Sequence, residues 1–249
     1  MVNSGPATAH LITSSDPYIE FGDRRIPIEI QRKSRASRMK LRIERSGTVI
    51  LVLPARAVLK SGLAFLKQEL PWIGQKIRNI PLPVPFLDGA TVPVMGVPHQ
   101  ICHAPERRGV VWQAKNMLYV AGKPEHLPRR IDDWLRKHAK SEIAPRAQNY
   151  ADMLELDFKG ITVRDQKTRW GSCSSTGRLN FSWRLIMMPE TVMNYVIAHE
   201  VAHLRHMNHS AAFWSVVGEL HPDVKPAKAW LKENGSEIHK YGAGADKSV

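Results

Sequence analysis

The chain has 249 residues, enough for one large domain or two small ones, and its hydrophobic fraction of 43% allows a sizeable core. Two cysteines are too few for a disulfide framework. No apolar run approaches the roughly 18 residues of a membrane helix, so no membrane contact is predicted. The net charge of +13 favours anionic partners, and the N-terminus does not resemble a secretory signal, so a cytoplasmic location is expected.

The N-terminal part of the sequence predicts strands followed by one helix. Polar and apolar residues alternate over 25–32 and 38–45, and 48–53 is an apolar run, as is typical of strands. Leucine and isoleucine then recur at spacings of three and four over 59–77, which predicts an amphipathic helix. Pro71 is expected to kink that helix or split it.

Further strands and a long helix are predicted in the middle of the chain. Short strands separated by glycine-containing turns are expected between residues 92 and 120. Residues 128–156 have a helical composition, which Pro145 is expected to divide into two pieces. Residues 161–170 and 178–185 are predicted to form a hairpin, and the last helices are expected over 211–220 and 227–234.

The positive charge is concentrated near the N-terminus. Nine lysines and arginines lie between Arg24 and Arg45, against Glu29 and Glu44. One interpretation is the solvated face of a sheet; the other is a surface that binds phosphate groups or a polymer such as nucleic acid. Since no aromatic residues are interleaved with the cations, the sequence does not identify the partner.

The motif that carries the chemistry is His199-Glu200-Val201-Ala202-His203. On a helix, residues i and i+4 lie on one face about 6 Å apart along the axis, so both imidazoles can reach one ion. Glu200 lies about 100° round from His199, where it can accept a proton from a metal-bound water without being a ligand. The pattern is typical of zinc-dependent hydrolysis, which uses three protein ligands and an open fourth position.

The third ligand is predicted to be His209. On a continuing helix it would lie roughly 15 Å along the axis from the first histidine, so the helix must end soon after the second one. Asn208 tolerates the left-handed conformation that ends helices and could provide the stop. Three other side chains compete for the position: His206, Glu219 and His221.

A longer block around this motif resembles a known family. Residues Arg164–Trp214 contain RWGSC, a strand ending near WRL, and HEVAHLRHMNHSAAFW without a break. This block resembles the YgjP-like metal-dependent hydrolases, which are relatives of the SprT and WLM metallopeptidases with a zincin core. The similarity extends over about residues 25–236.

The resemblance implies the roles of individual residues. His199, His203 and His209 would bind one zinc ion, and Glu200 would be the general base. The strand at Asn180–Arg184 would lie along the cleft. Four further residues are candidate substrate contacts, with packing as the alternative for the first two: Arg169, Trp170, Ser172 and His206. Cys173 is expected to be inert.

The predicted fold is α+β, with a compact zincin-like catalytic domain preceded by a β-rich region. We expect a disordered lead over residues 1–22 and a β-rich region with one amphipathic helix over 23–123. The metallohydrolase domain is expected over 124–240, followed by a disordered tail over 241–249.

The predicted function is that of a zinc metallopeptidase, although nickel, cobalt or another divalent metal also suits three imidazoles. Its substrate would be a polypeptide or a small anionic molecule, and nucleic acid is a further candidate partner of the basic N-terminal region. Two alternatives remain: a hydrolase of a nucleotide or other phosphoanhydride, and a non-catalytic metal-containing nucleic-acid-binding protein.

Overall fold

Two separate hydrophobic cores divide the chain into two units, residues 1–82 and 83–249, in the computed structural model. The structure describes residues 8–14, 16–44, 47–78, 80–166 and 168–242. The boundary expected at 123/124 instead falls at Leu82/Pro83. The physical reason is burial: the strands between residues 91 and 120 share their core with the C-terminal helices, through side chains such as Ile101 and Leu118.

The first unit is a five-stranded sheet with two helices. The strands run in the order β1-β2-β3-β5-β4, where β3 and β5 are parallel and the other neighbours are antiparallel. The elements are β1 Ala9–Ile12, β2 Tyr18–Phe21, β3 Arg24–Lys33, β4 Lys40–Ile43, β5 Val49–Pro54, α1 Leu59–Gln68 and α2 Leu70–Arg78.

The core of the first unit lies between the sheet and its helices. Leu51 and Leu53 of β5 are fully buried, as are Leu66 of α1 and Ile73 of α2. Helix α1 approaches the sheet closely at Gly62, where a Cβ would lie only 2.6 Å from a methyl group of Leu53. Strand β5 lies between β3 and β4, and Val49 to Leu53 are all buried, in agreement with the unbroken apolar run of its sequence.

Two predictions for this unit need correction. The lead expected to be disordered over 1–22 contains β1 and β2, which pair with each other and extend the sheet through β3. Its apolar residues contribute to the core, with Ile19 fully buried, which stabilises the strands. The single amphipathic helix is two helices, which confirms the split expected at Pro71. This proline stands at the second position of α2, where its missing N–H breaks no helical hydrogen bond. Residues 1–7 of the expected lead lie outside the described residues.

The described residues of the second unit form two small sheets and four α-helices. One sheet has the order β6-β7-β9-β8 and the other the order β10-β12-β11. The elements are β6 Thr91–Val94, β7 Val97–His103, β8 Val111–Ala114, β9 Met117–Val120, α3 Leu127–Met153, β10 Gly160–Arg164, β11 Gly171–Cys173, β12 Arg178–Ser182, α4 Glu190–Ala202, α5 Ala211–Leu220 and α6 Val224–Asn234.

Helix α3 is continuous through Pro145, contrary to the expected division. Its buried stripe includes Ile143 and Ala147 on either side of the proline, and this stripe packs against the core that also holds α4. Burial along 27 residues offsets the hydrogen bond that proline removes, so tertiary packing overrides a local preference.

The three-stranded sheet also differs from the predicted hairpin. Strand β10 is parallel to β12, and the short strand β11 forms the antiparallel partner on the other side of β12. A 3₁₀ turn at Trp183–Met187 follows β12 and leads into α4. The sheet therefore places β11 beside the helix that carries the motif.

The remaining part of the second unit closes its core. A 3₁₀ turn at Glu237–Lys240 follows α6, and Arg184 donates to the carbonyl oxygens of Ile238 and Tyr241. Of the tail expected to be disordered over 241–249, residues 243–249 lie outside the described residues. In the described chain, none of the helices combines the length and the apolar character needed to cross a membrane.

Candidate metal centre

Helix α4 carries the first two imidazoles on one face. Its buried residues include Val196, Ala198 and Val201, so the helix is held in the core on several sides. His199 and His203 lie one turn apart, with ring centroids 5.0 Å from each other. The helix ends at Ala202 and His203 is the capping residue, so the helix stops where ligation by His209 requires it to stop.

The chain turns back after the helix and brings His209 to the other two rings. The N–H groups of Arg205 and His206 both donate to the carbonyl of Ala202, which tightens the last turn. The ring of His209 lies 5.1 Å from that of His199 and 4.9 Å from that of His203. The prediction of a left-handed Asn208 is wrong, because this residue has no positive φ; tight turns after Ala202 redirect the chain instead.

The three imidazoles fit a divalent metal ion. Their ligand atoms all lie within 4.8 Å of one another, and within the described chain they form the only such group of three histidine, cysteine or carboxylate side chains. The Nε2 atoms of His199 and His209 are 3.2 Å apart. Two nitrogen ligands at 2.0–2.1 Å from a tetrahedral zinc ion stand about 3.3 Å apart, so this spacing suits metal ligation.

An aromatic floor supports the imidazoles. Ser210 caps α5 by accepting a hydrogen bond from the N–H of Phe213, which places that ring in the first turn of the helix. The fully buried Phe213 stacks on His203 at 4.5 Å and meets His199 and His209 edge-on. Since the ring touches all three imidazoles, it restricts their rotation.

The second ring nitrogens differ in their surroundings. Nδ1 of His203 lies 3.0 Å from the carbonyl oxygen of His206, and a proton donated there leaves Nε2 of His203 free to face an ion. Nδ1 of His199 is buried without a hydrogen-bond partner among the described residues. A backbone carbonyl, rather than a carboxylate, therefore orients His203, while packing against aromatic rings holds His199.

Glu200 is buried against strand β11. The carboxylate accepts a hydrogen bond from the backbone N–H of Cys173, and a Cβ on Gly171 would lie 2.5 Å from Cγ of Glu200. Gly171 does not have a positive φ, so the requirement for glycine is steric: only a residue without a side chain lets the strand approach so closely. This explains the glycine of the RWGSC sequence.

Burial shifts the pKa values of the two adjacent titratable groups in opposite directions. Desolvation raises the pKa of Glu200 to about 7, although Arg169 and the Cys173 N–H favour the ionised form. Desolvation, together with His203, His209 and Lys228, lowers the pKa of His199 to about 4. At neutral pH the imidazole is therefore unprotonated and able to bind a metal, and the carboxyl is a stronger base than an ordinary glutamate.

The cleft strand predicted at Asn180–Arg184 is wrong in its position in the sheet. Strand β12 is central, with β10 and β11 paired to its two sides, and residues 183 and 184 belong to the following turn. The two edge strands are β10 and β11, and the β11 edge is the one beside Glu200. The N–H of Ser174 donates to Arg178 and that of Ser182 donates to Trp170, both between β11 and β12. Because hydrogen-bonding direction alternates along a strand, the N–H and C=O of Gly171 and Cys173 point away from β12, on the side of Glu200.

The other candidate residues have different fates. Arg169 is exposed and acts electrostatically on Glu200, and Ser172 lies on β11 opposite Asn180. Trp170 stacks on His239 at 4.9 Å, which supports the packing alternative. The ring of His206 stays outside the cluster, and among the rival third ligands His221 and Glu219 do so as well.

Four contributors to the site were not predicted from the sequence. Phe213 and Trp214 form its floor and wall, Gly171 admits the glutamate, and Lys228 lies over the Trp214 ring at 4.4 Å. A signal was present for the aromatic pair, because Ser210 predicts a helix start that places the next two aromatic residues beside His209. No local pattern marked Lys228, which comes from α6.

The thiol of Cys173 has no sign of activation. Burial and the nearby Glu200 raise its pKa to about 11, so the thiol stays protonated at neutral pH. The low reactivity expected from the sequence agrees with this environment. The contribution of this residue to the site is its backbone N–H.

Together, the mixed α+β fold and the imidazole triad define the class of protein, a metal-dependent hydrolase. A family described as YgjP-like, metallopeptidase domain, matches residues 37–234. The chain belongs to this YgjP-like family, as its motifs predicted, and a divalent metal ion is accordingly its cofactor.

Solved structures with some similarity include two archaeal metallopeptidase zymogens. Abylysin of Pyrococcus abyssi is 22% identical, with a TM-score of 0.34 over 39% of this chain and 95% of its own. Jannalysin of Methanocaldococcus jannaschii is 19% identical, with a TM-score of 0.33 over 38% of this chain and 96% of its own. A comparison with curated proteins gives no significant match.

Proposed function

We propose that the protein is a zinc-dependent peptidase that cleaves extended polypeptide with Glu200 as the general base. One observation carries the proposal: Glu200, which follows the first of three converging histidines in the chain, packs its carboxylate against the edge strand β11. A base, a metal position and a backbone surface for a peptide are thereby adjacent. Metal hydrolysis of an amide needs all three.

Zinc is the proposed metal because three neutral nitrogen ligands leave a fourth position open, which is the usual arrangement of catalytic zinc. Nickel and cobalt suit the same ligands, and availability decides among them in a cell. A bound zinc ion would polarise the scissile carbonyl and lower the pKa of a water molecule towards neutrality. The count of three ligands also argues against a structural site, which is normally closed by four.

The protein's own groups then perform the proton transfers. Glu200 accepts a proton from the attacking water and donates it to the nitrogen of the leaving amine as the amide bond breaks. The Cys173 N–H fixes the carboxylate, and the raised pKa brings its basicity near the working pH. Arg169 is the nearby cation available to balance negative charge that develops during attack.

The free edge of β11 is the proposed peptide-binding surface. An extended substrate can pair with the N–H and C=O of Gly171, the backbone groups on that edge that Glu200 leaves available. Main-chain pairing recognises polypeptide without selecting a sequence, so we expect unfolded proteins to be better substrates than folded ones.

A phosphoanhydride substrate is the second candidate, and one observation favours it. Two cations act on the site, Arg169 on Glu200 and Lys228 on His199, and both could bind a phosphate group. Neither belongs to β11, so peptide pairing does not require them. Arg169 would therefore serve in both functions, whereas the peptidase mechanism gives Lys228 no role.

The test incubates the zinc-loaded protein with an unfolded, carboxymethylated polypeptide and, in parallel, with nucleoside triphosphates. We expect peptide products only, and a 10²–10⁴-fold loss in the Glu200→Gln variant with its zinc content unchanged. The variant also controls for contaminating peptidases, which it would not affect. Hydrolysis of the nucleotides alone would replace the peptidase proposal with the second candidate.

A further inference from the structure

The first unit has a cationic groove at one edge of its sheet. Four basic side chains, Lys33, Arg35, Lys40 and Arg42, line a concave volume of about 350 Å³ around Val52. All four are exposed. We call this feature the basic groove.

The strands bring these residues together from three directions. Lys33 ends β3, Lys40 and Arg42 lie on the edge strand β4, and Val52 of β5 pairs with Lys40. Alternation along β4 turns Leu41 and Ile43 towards the core, so the two cations share the opposite face. Because β4 is the last strand of its sheet, the groove opens at the sheet edge.

These cations are not used in the fold, unlike their neighbours in sequence. Arg24 donates to the carbonyl oxygens of Ile77 and Ile80, and Arg32 to those of Ala55 and Ala57. By contrast, the four groove cations make no hydrogen bond or ion pair through their side chains with any described residue. No carboxylate lines the groove, so its positive charge is not neutralised from within.

The first unit as a whole also carries an excess of positive charge. Residues 1–82 contain fourteen lysines and arginines against six aspartates and glutamates, a net charge of +8 of the chain's +13. Such a field attracts polyanions, and a concave site focuses it. A planar membrane surface would not reach the floor of a groove.

We propose that the basic groove binds single-stranded nucleic acid through its phosphate backbone. The guanidinium groups of Arg35 and Arg42 offer paired donors that match phosphate oxygens, and the lysines add point charges. The Val52 floor and the alkyl stems provide apolar surface for a base. An acidic polypeptide presents carboxylates with the same single charge and two terminal oxygens as a phosphodiester, but it has no bases to lie against the apolar surface of the groove.

The experiment measures binding of a fluorescent single-stranded DNA of ten thymidines to the full chain by anisotropy at several salt concentrations. Four phosphate contacts predict a slope of about −2.8 in the plot of log affinity against log salt, or about 50-fold weaker binding at 200 mM than at 50 mM. The Lys40→Gln/Arg42→Gln double variant should halve the slope, to about a 7-fold loss over the same range.

The matched control is the Lys60→Gln/Lys67→Gln variant of α1, which removes the same charge from exposed positions outside the groove. It should keep the slope of the wild type. Circular dichroism verifies that both variants are folded. Equal effects of the two variants, or an unchanged slope in the groove variant, would overturn the proposal.

Competition separates the sources of the anion. Ten-residue polyglutamate is one competitor. If it displaces the labelled DNA at a lower concentration than unlabelled DNA does, the groove binds acidic polypeptide and the proposal is refuted. Displacement by free thymidine monophosphate at the same phosphate concentration as the oligomer would refute a strand-binding role. Weak competition by both probes is the expected result.

Discussion

Gly171 and Glu200 approach each other so closely that even a methyl group on residue 171 should impair catalysis. In Gly171→Ala, the added Cβ would lie 2.5 Å from Cγ and 2.7 Å from Oε1 of Glu200, whereas ordinary contact begins at 3.4 Å. The carboxylate and the strand must therefore separate by about 1 Å, since Glu200 is held by a helix in the core. The three heavy atoms nearest to the added Cβ all belong to Glu200.

A displacement of about 1 Å in a catalytic group can cost about 100-fold in rate, equivalent to about 3 kcal/mol of transition-state stabilisation. Overpacking should also destabilise the fold, by about 1–3 kcal/mol. We expect kcat for peptide hydrolysis to fall by that factor while the zinc content stays near one ion per chain. Substrate pairing at β11 is expected to weaken less, because the backbone of residue 171 retains its donor and acceptor.

The assay compares kcat and zinc content with those of Gly218→Ala, a helical glycine in α5 with no atom within 4 Å of the added Cβ. The control should keep full activity and gain about 0.5–1 kcal/mol of stability. Wild-type kcat in Gly171→Ala would refute the role of this contact. A parallel loss of zinc and activity would show that the strand supports the metal rather than the base.

Three further predictions concern the metal and its surroundings. His209→Ala should weaken zinc binding by more than about 100-fold, because even residues that only orient a metal ligand contribute about 10–100-fold to affinity. Zinc titration measures this change, and His206→Ala, the control, should keep the wild-type affinity. Phe213→Ala should cost about 3–5 kcal/mol in urea unfolding and weaken zinc binding with it, and stability loss alone would contradict the supporting role of the ring. In the metal-free protein, the folded state keeps the proton of Glu200 between pH 4.5 and about 7, so ionisation in the unfolded state destabilises the fold as the pH rises. The stability of Glu200→Gln relative to wild type should therefore increase by about 1.4 kcal/mol per pH unit across that window, and a constant difference in urea unfolding would contradict the assigned pKa.

Short-range patterns in the sequence predicted helix α4 and much of the fold. The spacing of His199 and His203 follows from helical geometry alone, and the end of the helix was required by the position of His209. Helix α5 and strand β9 were also predicted from local periodicity and turn residues. These features depend on neighbours a few residues apart.

The errors arose where packing between distant segments overrides local preference. Pro145 is tolerated because α3 is buried along its length, and β1 and β2 form because their apolar side chains join a core made mainly by later residues. Strand β10 pairs in parallel with β12, which no hairpin pattern can indicate. Such outcomes depend on the free energy of burial over many residues.

The sequence by itself determined which residues could form the chemical centre: His199, His203, Glu200 and, through the need for a turn, His209. Only the tertiary structure decided what surrounds them. The fit of Gly171 against Glu200 and the position of β11 at an edge of its sheet both depend on segments that are distant in the chain. Helical spacing is a property of the local backbone, whereas close approach and desolvation exist only once separate elements have packed together.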